Sequence, residues 1–162
     1  MGRDVIEMMQ ARMGDELNPG ERYLGAHAMT IKARRAFGMW ADGVKLDEVL
    51  PSYVAEHGQV SELDVVDDDV PNAFMAAVTT ERLLLFSRSM TGKPRELMDQ
   101  HDLHGCTLDV VDAGARVKSR VFVFGLPSGR VFAGESPING KALEAADRFV
   151  EAWGAATDAL VG

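Results

Sequence analysis

Between residues 73 and 136 the chain is written as a series of short apolar runs separated by turn residues. AFMAAVT (73–79) and RLLLFSRS (82–89) come first, followed by RELMDQHDL (95–103), CTLDVVD (106–112), RVKSRVFVF (116–124) and RVFAGES (130–136). Gly105, Ala113-Gly114 and Leu126-Pro127-Ser128-Gly129 punctuate the later runs. This layout predicts a meander of short antiparallel strands. The first two runs meet at Thr79-Thr80-Glu81-Arg82 and predict a hairpin whose strands are largely buried. In VKSRVFVF, Val117, Ser119, Val121 and Val123 alternate with Lys118, Arg120, Phe122 and Phe124, so one face is smooth and apolar while the other passes from basic to aromatic.

A meander leaves an open edge or mouth that needs a cover. The C-terminal segment supplies one: Leu143, Ala146, Phe149, Val150, Trp153 and Leu160 form a broad apolar stripe at helical spacing. Ser136-Pro137 predicts the N-cap and first turn of that helix. At the other end, residues 3–17 place Val5, Met9, Met13 and Leu17 four apart, and Asn18-Pro19-Gly20 stops the pattern. Methionine stripes adapt to many surfaces, so Val5, Met9 and Met13 suit docking on a partner as well as on the chain itself, the commoner outcome for one amphipathic helix. YLGAHAMTI (23–31) predicts a further strand. Residues 32–59 are the least legible: Leu46, Val49, Leu50, Tyr53 and Val54 follow helical spacing, Pro51 interrupts it, and one or two short helical turns are expected, with SELDVV a short strand after them.

At 162 residues the chain is one domain with appendages. Its net charge of −8 argues against a nucleic-acid partner, because such proteins gain affinity by neutralising phosphates with Lys and Arg. A single cysteine, Cys106, excludes an internal disulfide and fits a reducing compartment. Acidic residues interrupt the apolar N-terminus, so no signal peptide is expected, and no apolar run reaches the ~18 residues needed to span a bilayer. Cytoplasmic localisation follows as the expectation.

Four features resemble the pleckstrin-homology-like (PH-like) domains of the bacterial PH and GRAM type: VTTERLLLFSRS with its Thr-x-x-Arg-Leu hairpin, GKPREL after it, the LPSGRVF turn between two late strands, and the closing helix with Trp153. The resemblance covers about residues 21–158 and is one of layout and a short degenerate motif. It implies an α+β, mainly β fold: a strongly bent antiparallel sheet of about seven strands, a partly open barrel, capped by the C-terminal helix. Residues 1–20 then form an extra N-terminal helix and turn, and residues 21–162 the PH-like domain with an irregular insertion at about 32–59. It also implies a module that binds lipids, peptides or proteins and is rarely an enzyme.

Lys32, Arg34 and Arg35 lie beside Phe37, Met39 and Trp40, the residue types a membrane-surface site for anionic lipid requires. The basic loop that grips lipid head groups in relatives of this fold makes Lys32, Arg34, Arg35 and Trp40 the candidate lipid site by resemblance. Gly92-Lys93 lacks the upstream glycine of a phosphate-binding P-loop, and Pro94 removes an amide that such a loop needs. In HDLHGC, strand alternation sends His101 and His104 to opposite faces, so exposed or satisfied histidines outrank a zinc site. Ser128 does not have the spacing of a nucleophile elbow, and Asp67 to Asp69 lack the glycine and terminal Glu of a calcium loop. No cofactor is called for. The expected function is a non-enzymatic module for protein–protein interaction or self-association. Binding of anionic lipid is the first alternative, and a small-ligand barrel or enzyme the second.

Overall fold

The computed structural model describes residues 2–31, 73–89, 91–113, 119–128 and 131–161. Helix α1 (Gly2–Met13) leads through a 3-10 turn (Gly14–Glu16) into β1 (Tyr23–Ile31). Six strands follow: β2 (Ala73–Thr79), β3 (Arg82–Arg88), β4 (Pro94–Asp102), β5 (Thr107–Ala113), β6 (Ser119–Gly125) and β7 (Val131–Pro137). Helix α2 (Gly140–Val161) closes the chain. The fold is mainly β, with all strands in one open antiparallel sheet of order β4-β3-β2-β1-β7-β6-β5.

The continuous apolar runs in β2 and β3 arise because both faces of the sheet's centre are covered. Phe74, Ala76 and Val78 of β2, with Leu83 and Leu85 of β3, share a core with Ala146, Phe149, Trp153 and Ala156 of α2. The intervening Met75, Ala77, Leu84 and Phe86 point the other way and join Met9 and Met13 of α1 and Tyr23 of β1 in a second core. A strand buried on one face alternates; these two strands are buried on both and do not. Pro94 stands at the first position of the edge strand β4, where a missing amide breaks no ladder bond.

Two glycines set how closely the layers approach. A Cβ on Gly25 would lie 2.7 Å from the Cβ of Ala152, so β1 meets α2 without a side chain between them. A Cβ on Gly134 would lie 2.8 Å from Phe74 and 2.9 Å from the sulfur of Met29. Glycine is required there by contact distance rather than by backbone angle.

The start of α2 differs from the sequence expectation. Ser136 is buried and pairs with Arg120 of β6, β7 runs on through Pro137, and the helix begins at Gly140 with the Leu143 amide bonded to the Asn139 carbonyl. Ladder pairing with β6 outcompetes a cap at Ser136. Likewise α1 ends at Met13, before the Asn18-Pro19-Gly20 stop, and a 3-10 turn fills the interval. The expected helical turns and strand within residues 32–66 lie outside the described residues.

Candidate functional site

β1 is paired along its length with β2, from Tyr23 opposite Thr79 to Thr30 opposite Ala73. With β7 it pairs, among the described residues, only at Thr30 and Ile31, opposite Glu135 and Gly134. Beyond Glu135, β7 reaches Pro137, which has no amide to donate, and the chain turns into α2. The two strands therefore part: Leu24 to Ala28 have no strand partner on that side among the described residues, and Gly25, Ala26 and His27 are nonetheless buried.

The direction of the main-chain groups on that edge follows from the ladder. Arg22 accepts a hydrogen bond from Thr80 at the start of the β1–β2 pairing, and a bulge lies between Tyr23 and Gly25. Alternation carried through the bulge turns Ala26, Ala28 and Thr30 away from β2. Thr30 meets Glu135 of β7; Ala26 and Ala28 meet no strand among the described residues.

A cleft of about 340 Å³ lies on this edge. Leu24, Gly25 and Ala26 line it from β1, Val5 and Ile6 from α1, and Lys141, Arg148 and Ala152 from α2. Helices α1 and α2 pack on opposite faces of the sheet, so a cleft that touches both and β1 sits at the rim of the sheet with one helix on each side. At 100° per residue on α2, Ala145 and Ala152 stand nearest the strand, Lys141 and Arg148 next, and Glu144 and Glu151 farthest round. Neither Lys141 nor Arg148 makes an ion pair among the described residues, although Glu144 lies within one turn of both.

The Thr-x-x-Arg motif serves the fold. The Thr79 hydroxyl accepts from the amides of Glu81 (3.0 Å) and Arg82 (2.8 Å) and donates to the Glu21 carboxylate. Arg82 grips the same carboxylate with two donors and reaches the carbonyl of Glu16 at 2.8 Å. Burial works to raise the pKa of Glu21, but hydrogen bonds from Arg82, Thr79 and the Asn18 amide hold it below the ordinary carboxylate value. A shallow hollow of about 560 Å³ opens beside Arg82, Gln100, His101 and Asp102. Its polar groups are engaged: Arg82 with Glu21 and Gln100, His101 with Asp99 at 2.9 Å, and Asp102 with the His104 amide.

The interior under α2 is filled. Phe122 and Phe149 meet edge to face, as do Phe124 and Trp153. His27 is buried against Phe122 and Phe149, its Nε2 has no hydrogen-bond partner among the described residues, and burial, with Arg88 and Arg120 adding to it, lowers its pKa to about 4. Cys106 is buried, and burial with the nearby Asp102 pushes its thiol up to about 12. Such a thiol is not a nucleophile at neutral pH.

Lys32, Arg34, Arg35 and Trp40 lie outside the described residues. Met9 is fully buried and Met13 nearly so in the second core, with Val5 half-buried beside them. Their stripe is spent on the chain's own sheet, because Met75, Leu84 and Phe86 present an apolar face that α1 covers; this corrects the partner-facing reading of Met9 and Met13. Val5 alone keeps a place at the cleft. No group of three or more His, Cys, Asp or Glu side chains capable of holding a metal occurs among the described residues. Nor is any helix among them long and apolar enough to cross a membrane.

Sequence reasoning passed over Ala26, Lys141 and Arg148. The cations are legible as a seven-residue repeat beside Ala145 and Ala152, but a lone basic pair on a helix flank carries no signal until the neighbouring strand is known to lack a partner. No family model matches the chain, and no curated protein matches it significantly.

Proposed function

We propose that the chain is a PH-like, non-enzymatic binding module of the cytoplasm whose work is contact with another protein or with a second copy of itself. The observation that carries this reading is the surface cleft beside β1, with an apolar wall of Val5 and Ile6 from α1 and a wall from α2 that carries charges of both signs, Lys141, Glu144, Arg148 and Glu151. Three further features support it. The strand order, with β1 at the centre and a long helix across one face, suits the layout that the resemblance to PH-like domains implies. The space under α2 is occupied by Phe74, Phe122, Phe124, Phe149 and Trp153, which favours recognition at the surface over a ligand held inside. The single cysteine fits a reducing compartment.

Sedimentation velocity across a concentration series, with cross-linked affinity capture by the full chain, tests the reading. The expected result is self-association, or a protein cross-linked at Val5, Ile6, Lys141 or its neighbours. A chain that stays monomeric and captures nothing, but floats with anionic vesicles and stops doing so in an Arg34→Glu/Arg35→Glu variant, would overturn it in favour of lipid binding.

A further inference from the structure

We propose that the chain pairs with a second copy of itself through α2, the two helices running antiparallel along the flank that carries Lys141, Glu144, Arg148, Glu151 and Asp158. The inference rests on the binding reading above and names the partner.

The order of charge on α2 comes first. These five side chains are all exposed, and their spacing places them on one flank of the helix. None of them takes part in an ion pair among the described residues. Read from its two ends, the row is its own complement. Two copies laid antiparallel over the full helix set Lys141 opposite Asp158 of the second copy and Arg148 opposite its Glu151, while Glu144 meets Ala155 and no like charges face each other. A parallel pair would set every charge against its own kind. Sliding the antiparallel pair by a heptad keeps the signs but shortens the overlap, which at full register runs roughly 26 Å from Lys141 to Asp158.

The neighbouring positions leave room for the second helix. Ala145, Ala152 and Ala155 line the cleft beside the charged row. Side chains this short let helix axes approach to roughly 8 Å. The stems of Lys141 and Arg148 can then lie across the facing alanines while their charged heads reach the carboxylates. A helix seated there also closes the cleft over Val5, Ile6 and Leu24, withdrawing apolar surface from water. The mixed flank is a poor match for anionic lipid or nucleic acid, which would call for cations alone. One helix flank is a small interface, so the expected dimer is weak and weakened further by salt.

Sedimentation velocity of the full chain across a concentration series, at low and high salt, reads the dimer directly. Arg148→Glu alone and Glu151→Arg alone should each weaken self-association about tenfold or more, because the altered contact occurs twice in the symmetric pair. An equimolar mixture of the two variants brings opposite charges together again and should restore association to near that of the parent. Both positions are exposed, and Lys141→Glu mixed with Asp158→Lys repeats the design at the helix ends should either first variant not fold. Self-association that both single variants leave unchanged, or that neither mixture restores, would overturn the proposal. If the parent stays monomeric but captures another protein, the self-pairing inference falls alone. If it stays monomeric and captures nothing, the binding reading falls with it.

Discussion

The guanidinium of Arg82 holds the buried carboxylate of Glu21 at 2.6 and 3.0 Å, across a separation of 61 residues. One partner opens the β2–β3 hairpin and the other ends the connection from α1, so the pair locks the N-terminal helix to the sheet. The Glu21 side chain is wholly buried while that of Arg82 is 14% exposed, so removing the arginine leaves a desolvated charge without its counterion. Arg82→Met should cost about 3–5 kcal/mol of stability, and Arg82→Met/Glu21→Gln distinctly less. The sign with pH follows from the depressed carboxylate. Its contribution is complete above the unfolded pKa of about 4.3 and is lost as pH falls through the folded value. Urea midpoints at a series of pH values measure both effects, and a single variant within 1 kcal/mol of the parent, a margin of about one ordinary hydrogen bond, would contradict the account.

His27 works in the same direction for a different reason. Folding buries the neutral ring, so the folded pKa near 4 lies below the unfolded value of about 6.5. Between these values the unfolded chain binds the extra proton. Stability is complete above about pH 6.5, falls as pH drops toward 4, and loses on the order of 3 kcal/mol in total. His27→Phe should flatten the curve in that window while leaving stability at pH 7 unchanged or higher, since Nε2 forms no hydrogen bond that would be lost.

The contact between β1 and α2 is testable as a pair. Gly25→Ala places a methyl 2.7 Å from that of Ala152, closer than carbon atoms pack, and should destabilise by about 1–3 kcal/mol. Ala152→Gly alone costs about 1 kcal/mol as a helix-interior substitution. Combined, the two should cost less than their sum, and thermal unfolding of the four proteins gives the coupling.

Cys106 should resist alkylation. A buried thiol raised to about 12 leaves almost no thiolate at pH 8, so iodoacetamide labelling followed by mass spectrometry should be slow in the native protein and fast in urea. Rapid labelling without denaturant would show that the turn at Leu103–Gly105 opens freely.

Deleting residues 1–13 uncovers Met75, Ala77, Leu84 and Phe86, a contiguous apolar face. The expected product is insoluble or binds 8-anilinonaphthalene-1-sulfonate strongly. A soluble truncation with the parent's circular dichroism would mean that α1 is dispensable.

Amino-acid order alone determined the strand series, the hairpin at Thr79 to Arg82, and the two amphipathic helices, because period and turn chemistry are local properties. Ser136-Pro137 misled for the converse reason: a good capping pair was claimed by the β6–β7 ladder, a long-range competitor. Thr79 and Arg82 were legible as a motif, but their partner, Glu21, lies far away in sequence, and only folding revealed a lock. The same holds for the cleft. Val5 was visible as part of a stripe, and tertiary packing decided that Met9 and Met13 go under the sheet while Val5 stays at its rim. Nothing in YLGAHAMTI says that β1 pairs with β7 at Thr30 and Ile31 and, among the described residues, not before them, because that depends on where β7 ends at Pro137, more than a hundred residues later. Local sequence fixes which segments become strands and helices; which edges and flanks stay uncovered is settled when those segments pack.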